Sequence, residues 1–81
     1  MPRISAKTDA DDILPLLGMA IRDRRKDLGM SQEALADYSG IDRSHMGKIE
    51  RGERNVTVLN LARIAAALGC TLSDMLGSAG L

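Results

Sequence analysis

Four times along this chain a glycine is followed by a short polar residue suited to starting a helix: Gly29 by Ser31, Gly40 by Asp42, Gly52 by Thr57, and Gly69 by Thr71. Glycine accepts the left-handed conformation in which many helices end. Ser, Asp and Thr side chains accept hydrogen bonds from the unpaired N–H groups of the next first turn. Such punctuation divides the chain into short helices. Tyr38 is the only aromatic among 81 residues, of which 44% are hydrophobic. A core must therefore come from Leu, Ile, Ala, Val and Met, which suits packed helices better than a sheet. The length allows one small domain, near the lower end of what an apolar core can hold alone.

The expected fold is all-α with five helices. The first starts near Asp11 or Asp12, either of which can cap it and face its positive end. Pro15 then falls in the first turn, where a missing N–H costs little. Ile13, Leu14, Leu17, Ile21 and Leu28 form the inward stripe, with Leu16, Met19 and Ala20 off it. A second helix runs from Gln32 to Ser39 with Leu35 inward, and a third from the Asp42 cap to about Arg51. Residues 53–56 form a loop. The fourth helix spans 58–68, turning Leu61, Ile64, Ala65 and Leu68 inward, and Thr71 with Asp74 makes a capping box for a short fifth helix at 72–76. Residues 1–10, including Arg3 and Lys7, read as a flexible arm, residues 11–76 as the domain, and 77–81 as a loose tail.

Ser31–Asn55 has the layout of a helix-turn-helix, whose second helix enters the DNA major groove. At about 100° per residue, Met46 and Ile49 point inward, with His45 and Glu50 on the flanks. Arg43, Ser44, Gly47, Lys48 and Arg51 gather on the opposite side, around a glycine that leaves room for close approach. Arg or Lys donating to guanine O6 and N7 is the commonest specific major-groove contact. Gln32 and its neighbouring amides, at a helix N-terminus, suit a phosphate. Arg51, Arg54 and Asn55, at and just past the end of the third helix, suit further backbone phosphates. His45 flanks the reading helix. Tyr38 either packs at the core edge or turns its hydroxyl to a phosphate.

The formal net charge is zero, which sits poorly with a nucleic-acid partner. Its distribution is uneven. Between Arg43 and Arg63 five basic residues (Arg43, Lys48, Arg51, Arg54, Arg63) face two acidic ones (Glu50, Glu53), a local +3, offset by Asp9, Asp11 and Asp12. Cys70 is the only cysteine and His45 the only histidine, so neither a disulfide nor a metal site is expected, and no cofactor. Cys70 reads as a small buried apolar residue. No nucleophile–base constellation appears, so the chain is not read as an enzyme. No apolar run reaches a bilayer span and no secretory signal opens the chain, so a cytoplasmic location is expected.

The run LGMSQEALADYSGIDRSHMGKIERGERNVTVLNLARIAAALGCTLSDML resembles the phage-repressor/Cro-like (XRE-type) helix-turn-helix family over Ile21 to Leu76. Within it, IDRSHMGKIERGERN is similar to the reading-helix region of restriction–modification controller proteins. The resemblance implies a lambda-repressor-like five-helix bundle that binds double-stranded DNA as a two-fold dimer. It implies Gln32 as a phosphate contact, Arg43, Ser44 and Lys48 as base-facing residues, and an Arg25–Glu50 pair tying the first helix to the reading helix. A sequence-specific transcriptional regulator is the expected function, repressing by occupancy or activating through RNA polymerase. Two alternatives are a DNA-binding antitoxin and a helical interaction module that has lost DNA binding. The dimer interface is expected at Leu72, Met75, Leu76 and Leu81, with the first helix as its rival.

Overall fold

A computed structural model describes residues 9–81; the arm expected at residues 1–10 falls mostly outside the described residues. Five helices follow one another: α1 (Ile13–Asp27), α2 (Gln32–Ser39), α3 (Arg43–Glu50), α4 (Val58–Ala67) and α5 (Leu72–Ser78). No strand occurs among the described residues. Ser31, Asp42, Thr57 and Thr71 each cap the helix that follows by accepting from a backbone N–H three residues on. At Thr71 the Asp74 carboxylate completes a reciprocal capping box.

Each helix contributes one fully buried large side chain: Ile21, Leu35, Met46, Ile64 and Met75. Two of these are methionines, whose unbranched side chains fill irregular space in a core without aromatic rings. Ala20, Ala36, Ala65 and Ala79 are buried in the same cluster.

α1 departs from expectation at both ends. Neither Asp11 nor Asp12 caps it. Asp12 lies in the left-handed region at φ 54°, with no capping bond from its side chain. The Asp9 carboxylate instead accepts from the Ile13 and Leu14 amides at 2.9 and 2.6 Å, reaching over the turn that Asp12 makes. Ile13 and Leu28, expected inward, are exposed, because they sit at the first helical position and past the last turn. Ala20, expected off the stripe, is buried. The inward face runs through Leu14, Leu17, Gly18 and Ile21 and ends in the polar Arg25.

Two glycines set how closely α1 lies against the end of α3. A Cβ built on Gly18 would stand 2.5 Å from the carbonyl oxygens of both Ile49 and Glu50, so the two backbones meet with no space for a side chain. At Gly52 a Cβ would fall 2.7 Å from Pro15 N and Cα, and the residue also has φ +72°. α1 therefore braces the C-terminal end of α3 directly.

The C-terminal residues are not loose. α5 continues to Ser78, Ala79 is buried in the core, and the Leu81 amide donates to the Leu76 carbonyl at 3.0 Å. The Arg24 guanidinium holds the Ser78 hydroxyl at 2.8 Å through Nη2. Met75 is fully buried and unavailable for an interface, whereas Leu81 stays exposed. Among the described residues no single helix is long and apolar enough to cross a membrane.

Candidate nucleic-acid interface

The Asp42 carboxylate accepts from the His45 amide at 3.2 Å and starts α3 one turn before its buried anchors. Met46 and Ile49 then turn into the core, and Glu50 is buried beside them. Arg43 and Ser44 stand exposed on the other side, with Lys48 and His45 half-buried at the edges. α3 thus offers solvent a narrow polar edge while its opposite face is held.

Gly47 differs from expectation. It is buried, and the space beside it is taken by the protein's own side chains. A Cβ there would sit 3.1 Å from Arg51 Nη1 and 3.3 Å from Gln32 Oε1. The missing side chain lets Gln32 and Arg51 lie across the helix; it does not open the outward face.

Beneath this edge lies a buried ion pair. Arg25 Nε donates to Glu50 Oε2 at 2.8 Å and Nη2 to Oε1 at 3.0 Å, while Nη1 donates to the Met30 carbonyl at 2.9 Å. Gln32 Nε2 adds a bond to Glu50 Oε1 at 3.2 Å. The Glu50 side chain is only 2% exposed and that of Arg25 11%. The bidentate fork suits guanidinium and carboxylate geometry, and with every charged oxygen served, α1, α2 and α3 are locked in register. One N–H of the Gln32 amide remains for another acceptor.

The outer cations have acidic neighbours. Arg43 Nη1 lies 3.6 Å from Glu33 Oε2, with both side chains well exposed. Arg51 Nε donates to Glu53 Oε2 at 2.7 Å. That hydrogen bond holds the Glu53 carboxyl below its ordinary range and raises Arg51 further. Exposed pairs of this kind contribute little to stability. They do place carboxylates beside two of the outer cations, so the neutral composition is felt locally. Lys48, Arg54 and Arg63 form no ion pair with a described residue. Arg54 and Asn55 are exposed in the loop between α3 and α4.

Tyr38 is exposed and borders a shallow groove with Arg63, Ala66 and Ala67, so its ring does not pack into the core edge. Cys70 is half-buried against the core, less enclosed than expected. No cluster of metal-ligating side chains occurs among the described residues.

The model of a family described as Helix-turn-helix, HTH_3, matches residues 21–75, from the middle of α1 to the middle of α5. The chain belongs to that family. It is similar to the control protein C.SmaI of Serratia marcescens, with 40% identity over 77 residues, covering 90% of this chain and 92% of that one. Among solved structures it is similar to the restriction–modification controller protein C.AhdI of Aeromonas hydrophila, at 42% identity and TM-score 0.75, covering 76% of this chain and 94% of that one. It is also similar to the clp gene regulator ClgR of C. glutamicum, at 32% identity and TM-score 0.81, covering 84% and 87% of the two chains. With this family and these relatives, the protein is a DNA-binding transcriptional regulator of the XRE type, a lambda-repressor-like all-α bundle.

Proposed function

We propose that this regulator binds a two-fold operator as a homodimer in the bacterial cytoplasm, its two α3 helices entering successive major grooves about 34 Å apart. Arg43, Ser44 and Lys48 read base edges. Gln32, Arg51, Arg54 and Asn55 hold backbone phosphates. The Arg25–Glu50 pair keeps α3 at a fixed angle to α1 and α2. The observation that carries this reading is the division of α3 itself. Met46, Ile49 and Glu50 are buried on one side and Arg43 and Ser44 exposed on the other, so the helix has one free edge and it is polar.

The similarity to controller proteins supports a narrower role, control of a restriction–modification operon, with occupancy blocking one promoter or a contact to RNA polymerase assisting another. Nothing among the described residues favours the antitoxin or interaction-module alternatives over this one.

The experiment is a spacing series. An operator is first selected from randomised duplexes, and fluorescence anisotropy then measures binding as base pairs are inserted between its half-sites. Inserting about half a helical turn should abolish joint occupancy, because the half-sites then face opposite sides of the duplex. Indifference to spacing would refute the dimer. Affinity that does not fall with added salt would refute the DNA contacts altogether.

A further inference from the structure

A cleft of about 240 Å³ opens where α1, α2 and α3 meet, lined by Arg22, Arg25, Gln32, Glu50 and Arg51. Every lining side chain is charged or capable of hydrogen bonding, and none is aliphatic. Three guanidinium groups face one carboxylate there, and that carboxylate is already satisfied. Both Glu50 oxygens accept from Arg25, and one accepts from Gln32 as well. Arg25 is satisfied too, with its third donor on the Met30 carbonyl.

What remains is positive and unspent. Arg22 lies three residues before Arg25 on α1, so the two share a face and repel one another. It is exposed and forms no ion pair with a described residue. Arg51 reaches the same cleft from the end of α3, and among the described residues only its Nε is committed, to Glu53. Gln32 retains one amide N–H. Gathering three arginines around one neutralised carboxylate weakens the free protein slightly and suits a small anion with several acceptor oxygens.

We propose that Arg22 is a DNA-backbone contact and that, with Arg51 and Gln32, it forms a clamp for a single phosphodiester. The inference rests on the DNA-binding reading above and adds α1 to the elements that touch DNA. A phosphate clamp sets register and affinity and leaves sequence choice to α3.

The test compares wild type with Arg22→Gln by anisotropy on three probes. These are the selected operator, an unrelated duplex, and operators carrying a neutral methylphosphonate at one position at a time. The substitution should weaken both natural duplexes roughly 3- to 10-fold and lower the salt slope by about one, without changing base preference. One methylphosphonate position should weaken the wild type and leave Arg22→Gln unaffected. Melting temperature should not fall, since a like charge has been removed. Affinity and slope equal to wild type would overturn the proposal, as would equal methylphosphonate losses for both proteins at every position. If inorganic phosphate stabilises the wild type but not the variant while DNA binding is unchanged, the cleft takes a free anion and the proposal fails. Failure of the wild type to prefer any sequence would instead refute the operator reading, a separate result.

Discussion

Removing the Glu50 carboxylate is the most demanding perturbation of the structure. In Glu50→Ala the Arg25 guanidinium, 11% exposed, would keep only the Met30 carbonyl as a partner. Gln32 Nε2 would lose its acceptor as well, although its half-exposed amide can turn to water. Breaking a buried pair from one side costs about 3–5 kcal/mol, because the remaining charge is left uncompensated. A domain of this size has roughly 5–15 kcal/mol in all. For a chain of 60–100 residues each kcal/mol moves the melting temperature by about 4–8 °C, so a fall of about 12 °C or more is expected. Replacing both partners, as Arg25→Met with Glu50→Leu, removes the stranded charge and should recover most of that loss. The double variant should still bind DNA less well, since nothing then fixes Gln32 beside α3. Urea denaturation of wild type, Arg25→Met, Glu50→Leu and the double variant supplies the full cycle, with Glu50→Ala measured beside it. A cost below about 1 kcal/mol for Glu50→Ala, or a double variant no better than the singles, would refute the view that this pair is effectively buried.

Gly18→Ala should destabilise by at least about 1–3 kcal/mol in denaturant titrations, because its Cβ would meet two main-chain oxygens that no rotamer change can clear. A neutral result would mean that α1 and α3 separate freely. Asp74 carries a pH signature. Hydrogen bonds from Thr71, chiefly from its backbone N–H, hold the Asp74 carboxyl below its ordinary value. Its contribution is therefore present above the unfolded pKa, near 4, and lost as pH falls through the lower folded value. Asp74→Ala should melt below wild type at neutral pH, and the two curves should converge in strong acid; a gap independent of pH would contradict the capping role. Arg54→Ala should weaken operator and unrelated duplexes alike in anisotropy, as a phosphate contact requires, and a loss confined to the operator would refute that role.

The parts of this fold that were legible in the sequence are those whose signal is local. Ser31, Asp42, Thr57 and Thr71 each act on an amide three residues away, so residue type and spacing suffice to find them. Asp9 was missed because its carboxylate reaches four and five residues forward, across a left-handed residue that no composition rule marks. Gly18 carried no signal at all, since a helical glycine does not announce which backbone lies against it. Apolarity alone extends the inward stripe to Leu28. The structure ends it at Arg25, whose burial depends on a partner 25 residues away. Gly47 lies on the third helix as the sequence indicates, but Gln32 arrives from α2 and, with Arg51 one turn further along α3, occupies the space beside it. Of the carboxylates beside the outer cations, Glu53 lies two residues from Arg51 and is legible in the sequence, whereas Glu33 reaches Arg43 from α2 and becomes visible only in three dimensions.

The central claim is that the exposed edge of α3 chooses the DNA sequence. Selection from a randomised duplex library, run in parallel for wild type, Arg43→Ala and Lys48→Ala, tests it directly. Each substitution should relax preference at one or two base pairs per half-site, by about 1–3 kcal/mol each, and leave the other positions as they were. A uniform loss of affinity with the preference intact would make these side chains phosphate contacts and contradict the claim.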